Sequence, residues 1–305
     1  MAFRTLVFFT LFILSAKGYA AACCGGGSSL PTLITGDYKG QVVLNASNAA
    51  VTHDSSEAGS LRKRGANNKE VIETLSLSGA YLLSPYWQVG ATLPLRMNSH
   101  VTPNREERTV GIGDPKIQVA YEFLPEYGYS WWKPKGFFFL EQSFALSNST
   151  YDALKPLRSD SLGNGLYTTA LGASFIKTIQ SFDVLFMSEV HQGVKRDFEL
   201  SGSQFSVLPR LGFSTLLGAG FSPFMGNLRI GATLLYSREG ERVIRGTINN
   251  ISSPLYFAEL GINISYLYQN WSFQAGYRDQ TYLSVASNTP LTKSLGLSAI
   301  KFFDL

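Results

Sequence analysis

The sequence predicts an all-β chain, a transmembrane antiparallel up-and-down β-barrel of about twelve strands. Three observations carry this reading. Apolar and polar residues alternate singly, for ten or more positions at a time, from about Gln41 onward. The breaks between these runs are alternately very short and long. An apolar leader precedes them all. A period of two describes a strand whose two faces meet different surroundings. Repeated about a dozen times behind an export leader, it fits a barrel of the bacterial outer membrane.

The leader opens the chain. Arg4 gives a positive n-region, residues 5–14 (TLVFFTLFIL) an apolar core, and residues 15–22 small side chains for cleavage, most simply after Ala20. The apolar run is near ten residues where a membrane helix needs about 20, so a signal peptide is preferred to an anchor. The chain then divides into 1–20 signal peptide, 21–40 periplasmic leader and 41–305 barrel. Cys23 and Cys24 are the only cysteines and are adjacent. Neighbouring Cα atoms lie about 3.8 Å apart, shorter than the usual disulfide span. Cys23 is a lipidation candidate behind Ala20-Ala21-Ala22, although the Leu usual three places before it is missing. A thiolate pair for a soft metal is a second reading, and a plain flexible leader is the simplest.

Strands are expected at about 41–51, 71–83, 86–97, 113–123, 137–147, 166–177, 182–192, 207–221, 228–236, 255–268, 271–280 and 291–305. Ser84-Pro85, Gln269-Asn270 and residues 178–181 and 222–226 make short turns. The polar segments 52–70, 98–112, 148–165, 193–206, 237–254 and 281–290 make long outer loops. Residues 124–136 are long on the short side. All four tryptophans (Trp87, Trp131, Trp132 and Trp271) fall beside the short connections, with Tyr81, Tyr86, Tyr121, Phe123, Phe182, Phe224, Tyr266 and Tyr268. Amphipathic rings favour the headgroup level, so this is one aromatic girdle. The end Lys301-Phe302-Phe303-Asp304-Leu305 partly resembles the assembly signal of outer-membrane barrels, which usually ends in an aromatic residue.

The alternation assigns faces. In 86–97, Trp87, Val89, Ala91, Leu93, Leu95 and Met97 point to lipid, and Gln88, Thr92 and Arg96 point inward. A charge on the lipid face costs roughly 2–4 kcal/mol at mid-depth, so such segregation is informative. The inward set offered as pore-lining is Arg96, Lys116, Glu122, Asp183, Glu189, His191, Arg210, Arg229, Glu259, Asn263 and Arg278. Its mixed signs suit either a transverse field that orients small solutes or a salt-bridged filling. Eight strands leave a filled interior and sixteen a channel, so twelve is intermediate.

Other chemistry finds little support. Charged residues are 16% of the chain, against about 25% for soluble domains. Without Arg4 and Lys17 of the signal peptide there remain 24 basic (26 − 2) and 22 acidic residues, which is no nucleic-acid footprint. His191 is two residues from Glu189, but no nucleophile motif accompanies the pair. The three histidines are scattered, so no metal or other cofactor is expected. Gly111-Ile112-Gly113-Asp114-Pro115-Lys116 lacks phosphate-loop spacing.

Residues 111–121 (GIGDPKIQVAY) resemble a family of bacterial outer-membrane barrels named after a meta-pathway phenol-degradation gene cluster. Cys23-Cys24-Gly25 with Ile34-Thr35-Gly36-Asp37 resembles the leader of barrels from predatory and related bacteria. The resemblance implies an outer-membrane protein with an uptake role. The expected function is therefore a passive porin or transporter for small solutes, no enzyme, with outer-membrane lipid and solute as partners and the oligomeric state open. A closed structural or surface-interaction barrel is the alternative, and a hydrolase at the rim using His191 and Glu189 ranks below it.

Overall fold

The computed structural model describes residues 32–304, apart from 129, 201, 224–226, 247 and 248. The signal peptide, Cys23, Cys24 and Phe224 lie outside the described residues. Among the described residues there is no helix. The strands are β1 (Gly40–Ser55), β2 (Leu61–Lys63), β3 (Lys69–Leu82), β4 (Trp87–Thr102), β5 (Arg105–Ile112), β6 (Lys116–Leu124), β7 (Lys135–Ser143), β8 (Thr168–Ile179), β9 (Phe182–Gly193), β10 (Arg196–Leu200), β11 (Ser203–Pro209), β12 (Gly212–Phe221), β13 (Leu228–Glu239), β14 (Arg242–Gly246), β15 (Asn250–Ser252), β16 (Leu255–Tyr268), β17 (Trp271–Asp279), β18 (Ala286–Ser287) and β19 (Pro290–Phe303).

Twelve of these paths make a closed antiparallel wall, in the order β1, β3, β4, β5–β6, β7, β8, β9, β12, β13, β16, β17 and β19. β5 and β6 count as one, because both pair with β4 and only Gly113-Asp114-Pro115 separates them. The ring closes where β1 pairs with β19, from Gly40 against Phe303 to Asp54 against Pro290. Closure leaves no sheet edge, which hydrocarbon demands because an unmet backbone group there costs several kcal/mol.

The outward side chains form an apolar band. Leu93, Leu95, Leu295 and Leu297 are among many large apolar residues left exposed. Along β3 the outward row runs Tyr81, Gly79, Leu77, Leu75 and then Glu73, which accepts a hydrogen bond from Asn48. Along β17 it runs from Trp271 to Asp279, which pairs with Lys293 at 3.0 Å. Eight residues separate each aromatic from its carboxylate. At about 3.4 Å per residue and a tilt near 40°, that is about 20 Å of height, close to a membrane barrel's apolar band. The tryptophans gather at the end bearing the short turns: Trp87 and Trp271 begin strands there, and Trp131 and Trp132 lie in its one long connection. Lys301 sits over the Trp271 ring, 5.2 Å from its centre.

Three strands depart most from the sequence reading. β5 was expected as loop, because its charged sequence (REERTVGI) hides a strand that continues the β4 hairpin beyond the apolar band. The strand expected at 137–147 stops at Ser143. The strand expected at 207–221 breaks at Arg210-Leu211, and its first part, β11, joins a separate four-stranded sheet with β10, β14 and β15. That sheet is made by two long loops, and it packs Phe198 and Val207 on Leu166.

One tie inside the wall crosses four neighbouring strands. The Arg229 guanidinium on β13 donates from Nε and Nη2 to both oxygens of Asp183 on β9, at 2.6 and 2.7 Å, and from Nη1 to Asn263 on β16 at 2.9 Å. It lies flat over Gly220 on β12, where a Cβ would come within 2.4 Å of it. Both charged side chains are almost wholly buried. Removing one partner of such a pair strands the other, at about 3–5 kcal/mol. Asp183→Ala is expected to lower the unfolding free energy, read from the urea transition of the barrel's tryptophan fluorescence, by that order. Asp183→Asn with Arg229→Met should cost much less.

Candidate functional site

The interior is built in three levels. At the end bearing the long loops lies a charged cavity of about 290 Å³. Arg96 on β4 and Lys116 on β6 line it, with Asp114 between β5 and β6. Glu141, Glu189 and Glu239 on β7, β9 and β13 line it as well. Lys116 donates to Glu141 at 2.7 Å. His191 stands between two carboxylates, with Nε2 at 2.9 Å from Glu239 and Nδ1 at 3.8 Å from Glu189. A neutral imidazole can donate to only one of these. Arg210 and Arg242 line the rim, where Arg242 also donates to the Tyr151 hydroxyl at 3.1 Å.

The loop between β7 and β8 folds inward and narrows this cavity. Inward residues of β4 hold its backbone: Arg96 donates to Leu162 O at 3.1 Å and Asn98 to Ser161 O at 2.6 Å. Asp114 anchors its two ends. One oxygen accepts from Ser147 N and Oγ at 3.2 and 2.6 Å, and the other from Asn164 N and Gly165 N at 2.7 and 3.2 Å. The chain passes so close that a Cβ at Gly163 would lie 2.4 Å from the carboxylate. This pull explains why the wall strand ends at Ser143.

Below the cavity is an apolar waist. Phe137 and Phe139 are buried with Ala120, Ile176, Leu185, Met187, Leu216 and Leu235. The inner face is thus not polar throughout, as the alternation suggested. The runs GFFFL and FDVLFM carry apolar residues on both faces, so a two-valued pattern could not sort them.

The third level is a strap formed by residues 32–35, just before β1, at the end bearing the short turns. Thr32 N donates to Gln118 Oε1 at 3.0 Å, and Gln118 Nε2 donates back to Thr32 O at 2.6 Å. Gln88 makes the same pair with Ile34, at 2.7 and 3.4 Å. Gln41 donates to Leu33 O at 3.1 Å, and Lys135 to Thr35 O at 3.2 Å. A glutamine amide offers the donor and acceptor of a peptide unit, so each imitates a neighbouring strand. Leu33 and Ile34 are buried, and Leu33 joins the waist. Each amide bond contributes about 1 kcal/mol net, and each buried aliphatic side chain roughly 1.5–3 kcal/mol.

The residues singled out from the sequence distribute over these levels. Arg96, Lys116, Glu189 and His191 meet at the cavity, and Arg210 lies at its rim, in a strand break and not in a strand. Asp183, Arg229 and Asn263 face inward but bond one another. Glu259 and Arg278 pair at 3.7 Å on β16 and β17, with Gln280 also donating to Glu259. Glu122 sits near the strap, in the field of Lys135 and Asp37. Cys23 lies outside the described residues. Sequence reasoning missed Asp114, Glu141, Glu239, Arg242 and Gln41. Asp114 lies in a stretch set aside for lacking phosphate-loop spacing, whereas a carboxylate between Gly113 and Pro115 is a loop anchor. Asp114→Ala is expected to free the β7–β8 loop, seen as severalfold faster trypsin cleavage after Arg158 with the barrel still folded.

No protein-family model matches the chain, and no curated protein matches it in sequence. Solved structures do match in shape. An outer-membrane channel from Pseudomonas putida F1 superposes with a TM-score of 0.72 at 13% identity, covering 91% of this chain and 99% of that one. The transport unit of the autotransporter AIDA-I from Escherichia coli gives 0.48 at 8% identity, over 91% and 94%. The chain therefore has the fold of outer-membrane barrels: all-β, antiparallel, closed and twelve-stranded.

Proposed function

We propose that this protein is a porin-like channel of the bacterial outer membrane, without enzymatic activity, that passes small solutes passively. One observation carries the reading. Charged side chains of both signs line a cavity inside the wall, while the outer surface is apolar. A charged lining of that kind binds and orients dipolar and ionic solutes as they enter. Orientation follows from the same pattern, with short turns and tryptophans toward the periplasm and the cavity toward the outside. The pore-lining residues are then Arg96, Lys116, Glu189, His191 and Arg210, joined by Glu141, Glu239 and Arg242. The fold shared with an outer-membrane channel supports the reading, as does the resemblance of residues 111–121 to phenol-degradation barrels. His191 has carboxylates at both ring nitrogens, an arrangement that supplies no nucleophile.

The filled waist and strap favour a second reading, a barrel closed at rest. Planar bilayers separate the two. A channel gives discrete conductance steps from purified protein, and a permanently closed barrel stays silent and does not swell liposomes with any sugar. Selectivity localises the path. Glu189→Gln with Glu239→Gln removes negative charge and should move the reversal potential toward chloride. Lys116→Gln should move it toward potassium. If neither variant shifts it, the cavity is not on the route.

A further inference from the structure

The grip on the strap is a binding site in its own right. Gln41, Gln88 and Gln118 project from three wall strands, are buried, and among the described residues their side chains bond main-chain atoms of residues 32–34. Simple filling of a lumen calls for bulky side chains, and the waist supplies those a few ångströms further in. Main-chain bonds of this type read an extended peptide whatever its side chains, as an added strand is read at a sheet edge. The occupant reaches the wall's first strand through residues 36–39 and lies before the strand pairing that begins at Gly40. It can leave without breaking the wall.

We infer that these glutamines form a receptor for an extended main chain, and that residues 32–35 occupy it as a releasable stopper of the periplasmic mouth. The inference deepens the channel reading and rests on it. Release opens the passage below the waist, and rebinding closes it.

The test uses the mature full-length protein in bilayers and liposomes, with folding checked by circular dichroism. Deleting residues 21–35 should raise conductance and solute flux severalfold. Gln88→Ala with Gln118→Ala should raise the open fraction. Leu33→Asp, which leaves the wall untouched and brings a charge to the waist, should act likewise should the glutamine variant fail to fold. A synthetic peptide of residues 32–37 should then block the deleted barrel from the periplasmic side only. The same peptide with Thr32→Ser and Thr35→Ser should block equally, and one N-methylated at Ile34 should not, because it has lost the donor to Gln88. If the deleted barrel is no more permeable than the full chain, the stopper is overturned. Equal block by the N-methylated peptide overturns main-chain recognition. Equal flux through both barrels removes the stopper and leaves the channel, whereas absence of any flux through either removes both.

Discussion

The pairing of β1 with β19 is the constraint on which the rest depends. In hydrocarbon no water can satisfy an unpaired peptide group, so a sheet is tolerated only as a ring. The seam brings the two ends of the wall together at Gly40 and Phe303. Once it is made, every strand has two neighbours and every side chain has one of two destinations. Alternation, the lipid band and the existence of an interior all follow from that closure.

Within the ring, charge is handled differently at different depths. Near the short turns Arg229, Asp183 and Asn263 neutralise one another in a nearly dry setting and act as a cross-brace. Near the long loops the charged groups border open space, as His191 does between Glu239 and Glu189. A buried pair with its partners met is rigid, while a half-solvated one keeps field to spare for a passing ion. Identical residue types thus serve as framework at one level and as candidate contact surface at another.

The wall was largely legible in the sequence, because its rule has period two and is enforced by the cost of charge in lipid. Strand 255–268 matched to the residue, and the tryptophan girdle gave the polarity of the barrel ends. The interior was less legible. Nothing local says that Asp114 reaches Ser147 and Asn164, since those contacts depend on a loop returning across the lumen. Glu239 was lost because its strand continues past Tyr236, beyond the apolar stretch. Arg210 was misplaced because a break at Arg210-Leu211 does not disturb the alternation on either side. Gln88 was recognised as inward, but its partner is a segment that carries no strand pattern.

The wall's reliance on main-chain bonds has a consequence for descent. Hydrogen bonds between strands do not involve side chains, and the lipid face asks only for apolar residues without specifying which. Such a molecule can exchange most of its residues over time while its shape persists. Kinship among barrels of this kind then fades from the letters long before it fades from the architecture. What lasts longest in the sequence should be the few polar residues that brace, anchor or clamp from within.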